Sequence, residues 1–150
     1  MMRTFVKRAV LPLVAALTAI LALASPAQAQ DDSWSVYTTG STNGGRVDFI
    51  DYGPGAPGGG NNDDYLEIYD LRADGHGVQV WAWLHGKYLG TKYNGNGESH
   101  SDPLIWDPYK IFPNNVAAGE RIGLKICLVN GPDNLIQSTC GSYEWHSQDG

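Results

Sequence analysis

Apolar and polar side chains alternate along much of the chain after its first 30 residues, and this period of two predicts β-strands. The clearest case is residues 78–84, where aliphatic residues occupy every second position and Gln79, Trp81 and Trp83 stand between them. Successive side chains of a strand point to opposite faces. The aliphatic side is therefore predicted to face the core, and both tryptophans the opposite face of the sheet.

A β-hairpin is predicted over residues 65–89. Residues 65–71 and 78–89 are both rich in β-branched and aromatic side chains, which favour strands. Between them, Asp74-Gly75 is a residue pair that suits a tight hairpin turn. The two segments are therefore interpreted as neighbouring antiparallel strands.

Glycine, proline, asparagine and aspartate cut the rest of the chain into short pieces rich in strand-forming residues. In Arg121–Val129 every second residue from Ile122 onward is aliphatic, which predicts a strand with one buried face. Residues 53–62 have almost nothing to bury and are predicted to form a loop or a short linker. The other predicted strands are residues 34–39, 46–52 and 136–145, with 104–106 as a short strand or an apolar plug.

These segments together predict an all-β fold. No run of a dozen residues shows the 3.6-residue period of a helix, so helix is expected to be minimal. Many short antiparallel strands around one core are typical of a small β-sandwich, Ig-like or a related barrel, of about seven or eight strands. Residues 30–150 suit one such domain and leave little room for a second.

The first 29 residues have the pattern of a signal peptide. Three basic residues precede an apolar run, residues 9–24, and Ala27-Gln28-Ala29 supplies the small residues that signal peptidase requires. As a membrane anchor the run is short, because about 20 apolar residues are needed to cross a bilayer. We expect cleavage after Ala29 and secretion of residues 30–150.

Secretion changes the charge of the chain. All 16 acidic residues follow Ala29 but only seven of the ten basic residues do, which gives the exported part a net charge of −9. Such a surface repels nucleic acid and anionic lipid, so neither a nucleic acid nor a membrane is expected as a partner. It favours other secreted proteins with a basic surface, or a neutral glycan.

Cys127 and Cys140 are the two cysteines of the chain, and in an oxidising compartment they predict one disulfide that joins the last two strands. A metal role is not expected for them, because Cys-x-x-Cys spacing and a nearby histidine pair are missing.

Motifs for catalysis and metal binding are missing. The Gly-x-Ser-x-Gly elbow is absent, the four histidines lack the spacing that places two rings on one metal, and nothing singles out one pair of carboxylates for glycoside hydrolysis. We therefore predict no catalytic residue, no metal site and no cofactor. The alternative is calcium held by the oxygen donors of Asn61, Asn62, Asp63 and Asp64, a cluster that a polar turn also explains.

Aromatic residues are unusually frequent in the exported part of the chain, since five Trp, eight Tyr and two of the three Phe follow Ala29. Because Trp81 and Trp83 are predicted on the outer face of a sheet, we expect another group to cover them. The candidates are residues 104–106 or the N-terminal segment of the same chain, a partner protein, or a sugar stacked on the indoles. Asp31, Asp32 and Trp34 form a short acidic segment with one aromatic side chain, which we call the acidic lead. Such a segment is suited to insertion into a basic groove of a partner. The alternative is a frayed terminus without a binding role. The predicted binding residues are Asp31, Asp32, Trp34, Trp81 and Trp83.

The run from Glu120 to Val129, followed by Ser138-Thr139-Cys140, stands in a small acidic β-domain behind an export signal. This combination resembles small secreted proteins of filamentous soil bacteria, and among them the small adaptor subunit of umbrella toxin particles, which links lectin subunits to a large toxin protein. The resemblance implies a non-enzymatic, protein-binding role in competition between bacteria, with an exposed N-terminal segment that enters a partner. The alternatives are a carbohydrate-binding or enzyme-inhibitory module and, after these, a small hydrolase.

Overall fold

The computed structural model describes residues 31–40, 43–52, 64–98, 102–112 and 116–148. Within these ranges the chain forms eight β-strands and one 3-10 turn, which confirms the predicted all-β class. No helix in this part of the chain is long and apolar enough to cross a bilayer. The predicted signal peptide and the predicted loop at residues 53–62 lie outside the described residues.

The strands form two antiparallel sheets of four strands each. Sheet A has the order β1-β2-β3-β6 and sheet B the order β5-β4-β7-β8. Their bounds are β1 Trp34–Tyr37, β2 Gly45–Ile50, β3 Tyr65–Asp70, β4 Gly77–Leu84, β5 Lys87–Asn94, β6 Leu104–Trp106, β7 Arg121–Val129 and β8 Gly141–His146.

The core lies between the two sheets and is built from their inward-facing side chains. Sheet A contributes Val47, Phe49, Leu66 and Ile68, all fully buried. Sheet B contributes the aliphatic positions of β4 and β7, so the predicted inward faces of both strands are confirmed. Burial of this apolar surface is the main driving force for the association of the sheets. These eight side chains are Val78, Val80, Ala82, Leu84, Ile122, Leu124, Ile126 and Leu128.

The predicted hairpin over residues 65–89 is wrong. β3 and β4 belong to different sheets, and the turn at Asp74-Gly75 carries the chain from one sheet to the other. β3 pairs with β2, from Gly45 opposite Asp70 to Ile50 opposite Tyr65. An Asp-Gly turn serves a crossing between sheets as well as a hairpin, so the local signal does not decide between them.

The hairpin in this region is formed by β4 and β5, whereas the sequence pattern predicts one strand over residues 78–89, which runs through the turn into the start of β5. His85 and Gly86 interrupt that strand with φ angles of 50° and 77°. Positive φ at both central residues is what a two-residue hairpin turn of the favoured twist requires. The His85 amide also donates to the Arg121 carbonyl at 2.8 Å, which fixes the turn against β7.

The C-terminal part of sheet B is joined by the predicted disulfide. Cys127 and Cys140 are bonded, with their Cα atoms 4.1 Å apart. β7 has the predicted bounds, but the last strand begins later than predicted, because Gln137–Thr139 form the 3-10 turn and β8 starts at Gly141. The disulfide between Cys127 and Cys140 indicates an oxidising environment.

Candidate functional site

The outward face of sheet B carries the tryptophan pair that the alternation in β4 predicts. Because Val80 and Ala82 are buried in the core, Trp81 and Trp83 point away from it. Both indoles are half-buried. We call this surface, with the outward residues of the neighbouring strands, the tryptophan face: Trp81, Trp83, Tyr88, Gly123, Lys125, Ser142 and Glu144.

The neighbours of the two indoles come from the same sheet. The Lys125 ammonium lies 5.2 Å from the centroid of the Trp81 ring, and the Tyr88 ring lies 5.7 Å from the Trp83 ring. Among the described residues, neither cover proposed from within the chain lies on this face. Residues 104–106 form β6 of sheet A, with Leu104 and Trp106 packed against the core, and Trp34 belongs to β1 of the same sheet.

One end of the outward face is closed by the loop between β7 and β8. The Gln79 side chain is buried and donates to the Asp133 carboxylate at 2.7 Å, while its own carbonyl accepts from the Asp133 amide at 2.7 Å. This closure covers the row of side chains next to Trp81. The tryptophan face therefore begins at Trp81 and extends toward the β4–β5 turn.

A groove of about 660 Å³ runs beside Trp83. Its floor is Gly123, which pairs with Trp83 on one side and with Glu144 on the other. A Cβ atom at Gly123 would lie 3.6 Å from the Trp83 Cβ and 3.7 Å from the Glu144 Cγ, so the missing side chain leaves an open slot between them. Lys125 and Ser142 stand in the next row of the same face.

Charge is distributed unevenly between the two sheets. The strands of sheet B carry four basic residues and one acidic residue, whereas the strands of sheet A carry one basic residue and three acidic residues. Sheet B is therefore a basic region in an acidic chain. The residues are Lys87, Lys92, Arg121, Lys125 and Glu144 in sheet B, and Arg46, Asp48, Glu67 and Asp70 in sheet A.

The outward face of sheet A is a network of polar groups that pair with one another. Arg46 Nε lies 3.0 Å from Asp48 Oδ1, as an ion pair that lacks the alignment of a hydrogen bond. The guanidinium stacks 4.0 Å above the Tyr69 ring, and the Tyr69 hydroxyl donates to Glu67 at 2.7 Å. Burial raises the pKa of Asp48, and burial with the Glu67 hydrogen bond raises the pKa of Tyr69 to about 12.

The predicted acidic lead folds back onto its own domain. Asp32 Oδ2 accepts from the Gln148 amide at 2.7 Å and from the Trp145 indole N–H at 3.2 Å. Asp31 accepts from the Ser33 hydroxyl at 2.6 Å, and this hydrogen bond lowers the pKa of the Asp31 carboxyl.

Trp34 lies at the seam between β1 and β8, and not on the tryptophan face. Its ring is 5.3 Å from the Tyr143 ring and 6.0 Å from the Phe49 ring. The five predicted binding residues thus fall into two groups, Asp31, Asp32 and Trp34 at the seam and Trp81 and Trp83 on sheet B. That either group binds a partner stays a prediction.

Among the described residues, no three His, Cys, Asp or Glu side chains lie together in a way that could hold a metal ion. Asp64 belongs to the cluster considered for calcium, and its carboxylate accepts from the Val116 amide at 2.7 Å. Asn61, Asn62 and Asp63 lie outside the described residues.

Five members of the tryptophan face were not predicted from the sequence. Tyr88 meets Trp83 through the β4–β5 hairpin, and the other four are Gly123, Lys125, Ser142 and Glu144. They meet the tryptophans only because β4 pairs with β7 and β7 with β8. The one local signal is Gly123, since a glycine inside a strand marks a bulge or a site where another group approaches closely.

Comparison with known proteins finds no matching family model, no matching curated protein and no matching solved structure.

Proposed function

We propose that this chain is a secreted, non-enzymatic adaptor that binds a partner protein through the tryptophan face. The observation that carries the proposal is the pair Trp81 and Trp83, which stand partly exposed on the outer side of a four-stranded sheet. The resemblance to the adaptor subunit of umbrella toxin particles suggests the setting. In that setting the chain joins a lectin subunit to a large toxin protein.

The residue types on this face are those that dominate binding energy at protein interfaces. Tryptophan and tyrosine are enriched among the few residues that carry most of the affinity, because each buries a large rigid area. Trp81, Trp83 and the 51% exposed Tyr88 lie on adjacent strands, β4 and β5. A partner that covers them removes indole and phenol surface from water.

The rigidity of sheet B favours binding. The face is built on four paired strands, and the Cys127–Cys140 disulfide fixes β7 against the start of β8. A surface already ordered before binding loses little conformational freedom when the partner docks. This rigidity distinguishes it from a surface built on loops.

Charge suggests the chemistry of the partner. On the outward side of sheet B, Arg121 and Lys125 stand beside the one carboxylate of Glu144, whereas Lys87 and Lys92 lie opposite the core-facing Leu84 and Val80 on the inward side. Complementary potential speeds encounter and selects orientation. The partner surface that fits this face is therefore apolar where it meets the aromatic rings, with an acidic group opposite Lys125.

The test is affinity purification of the tagged full chain from the culture medium of the organism that encodes it, followed by mass spectrometry. We expect the mature chain to begin at Gln30 and larger secreted proteins to co-purify with it. Tyr88→Ala should lose them, whereas Tyr37→Ala, a matched tyrosine that is 45% exposed on sheet A, should keep them. Capture of the same proteins by both variants would contradict the proposal, as would their absence from the wild-type sample.

A further inference from the structure

We propose that the groove beside Trp83 is a subsite for one neutral pyranose ring of a glycan. This inference goes beyond the adaptor role, because the subsite needs no protein partner. It rests on the width of the groove, the chemistry of its two walls and the missing side chain at Gly123.

The pairing of the strands sets the size of the groove. Trp83 and Glu144 flank Gly123 from β4 and β8, one strand spacing away on each side, so their backbones lie about 10 Å apart. Lys125 and Ser142 stand one row further on, about 7 Å along the strands. The groove volume of about 660 Å³ lies within the range of sites for small ligands. At the floor the slot is one carbon wide, because a Gly123 Cβ would contact both Trp83 and Glu144, so a sugar ring would lie above the floor against these two side chains.

The two walls match the two kinds of surface on a pyranose. The C–H groups on one side of the ring are apolar and pack on the face of an indole, whose π-electrons carry partial negative charge. Tyr88 approaches Trp83 from β5, so the side of Trp83 toward β7 is the side that lines the groove. Trp83 therefore provides the stacking wall.

The opposite wall provides hydrogen bonds to sugar hydroxyls. The Glu144 Oε1 atom lies 3.7 Å from the position that a Gly123 Cβ would take, so the carboxylate leans over the floor of the groove. A carboxylate accepts from hydroxyls, the Lys125 ammonium donates to them, and the Ser142 hydroxyl does both. Hydrogen bonds to charged groups are the stronger kind, which suits an exposed site.

The charges of the groove select a neutral ligand. Glu144 and Lys125 both line it, and Arg121 Nη1 stands 3.7 Å from Glu144 Oε2. An anionic sugar would meet the Glu144 carboxylate, and a cationic one would meet the two basic groups. A ring that carries only hydroxyl or acetamido groups avoids both conflicts.

Gly123 offers a way to block the subsite without removing any group that would contact the sugar. Its φ angle lies outside the left-handed region, and a Cβ there would make only ordinary contacts at 3.6 and 3.7 Å. Gly123→Val adds a branched side chain that strands tolerate well. The valine methyl groups would occupy the floor of the groove.

The experiment is a titration of the ¹⁵N-labelled mature protein, observed by NMR. The sugars are glucose, galactose, mannose, N-acetylglucosamine, cellobiose and diacetylchitobiose, with glucuronic acid as the charged comparison. At least one neutral sugar should give saturable shifts at the Trp83 indole N–H and at the Gly123 and Ser142 amides. Gly123→Val should weaken this binding by about tenfold or more, the effect expected when methyl groups fill a pocket.

Two controls keep the test independent of folding and of the adaptor role. The same spectra show whether each variant is folded, and Glu144→Gln, which keeps the side-chain shape, should weaken binding while Tyr37→Ala should not. Saturable shifts with none of the neutral sugars would overturn the proposal, as would equal affinity in Gly123→Val or equal affinity for glucuronic acid. Capture of partner proteins is scored separately, so loss of sugar binding with retained capture leaves the adaptor role intact.

Discussion

The outer faces of the two sheets differ in how their side chains are satisfied. On sheet A, Arg46, Asp48, Glu67 and Tyr69 pair with one another across neighbouring strands. On sheet B, the corresponding positions hold two tryptophans and a glycine, with contacts to Lys125 and Tyr88 that leave both indoles partly exposed. Sheet A joins its charged side chains in one network and exposes Tyr37 and Ile105 singly on its two edge strands. Sheet B leaves adjoining aromatic side chains and a groove in contact with solvent.

This difference predicts that one outer face contributes mainly to folding stability and the other mainly to binding. A polar network whose members already have partners gains little from a second molecule, and breaking it leaves buried polar groups unsatisfied. Half-exposed indoles contribute less to folding than buried ones and more to an interface that covers them. We therefore expect changes in the outward network of sheet A to affect the free energy of unfolding, and changes on the tryptophan face to affect binding.

The largest expected effect comes from the disulfide, which braces sheet B alone. The double change Cys127→Ala with Cys140→Ala releases a loop with a sequence separation of 13 and should lower the free energy of unfolding by about 3 kcal/mol. Urea denaturation measures this loss, with the reduced wild type as a comparison. A loss well below 1 kcal/mol would mean that the strand pairing between β7 and β8 holds this part of the sheet without the covalent link.

The next effect separates the two faces directly. Trp81→Ala should weaken binding to the captured partner by about 2 kcal/mol or more, the size expected of an interface anchor, with a smaller loss of stability. Arg46→Ala on sheet A should do the reverse, because Asp48 would keep its partly buried charge without a cation. Calorimetric binding and urea denaturation on both variants check this. Equal effects of the two changes on binding would erase the distinction between the faces.

High pH should weaken the network on sheet A. The ordinary pKa of 10.0 is raised to about 12 for Tyr69, so the unfolded chain loses this proton first. The stabilisation is fully present below pH 10 and is lost as pH rises through about 12, at about 1.4 kcal/mol per pH unit between them.

Denaturation of wild type and Tyr69→Phe across this window isolates the tyrosine. The wild type should lose stability relative to the variant as pH rises, while binding through sheet B should not distinguish the two proteins. Parallel stability curves for the two proteins would show that Tyr69 ionises as freely in the folded state as in the unfolded one.

The smallest effect is expected at Asp48, whose pKa is raised by burial and, to a lesser degree, by Glu67, against the opposing effects of Ser35 and Arg46. With the folded pKa raised, this group contributes most below its unfolded pKa, and the contribution is lost as pH rises through the folded pKa. At neutral pH the ionised carboxylate is therefore disfavoured, and Asp48→Asn should stabilise the protein slightly. Thermal denaturation of the wild type and of Asp48→Asn at acid and neutral pH checks this. A gain in stability confined to acid pH would contradict the raised pKa of Asp48.

The sequence was most informative where one strand carried its own signal. The alternation in β4 placed Trp81 and Trp83 on the outward side, and the aliphatic period of β7 gave its bounds. The cysteine pair predicted the disulfide because only two cysteines are available to form one. These features depend on local period and composition, which a single sequence contains.

The sequence was least informative about which strands pair with each other. The turn at Asp74-Gly75 predicts a hairpin, but its flanking strands belong to different sheets: β3 pairs with β2 and β6, and β4 pairs with β5 and β7. The true turn, His85-Gly86, lacks the asparagine or aspartate that typically precedes glycine there. The groove was missed for the same reason, since Trp83, Gly123 and Glu144 meet only through long-range pairing.

Oxidative footprinting of the side chains, with and without the captured partner, tests most directly whether sheet B is the binding face. We predict that the partner protects Trp81, Trp83 and Tyr88 from oxidation and leaves Tyr37 and Ile105 on sheet A as reactive as in the free protein. Protection of Tyr37 and Ile105 with unchanged reactivity of the two tryptophans would contradict the account.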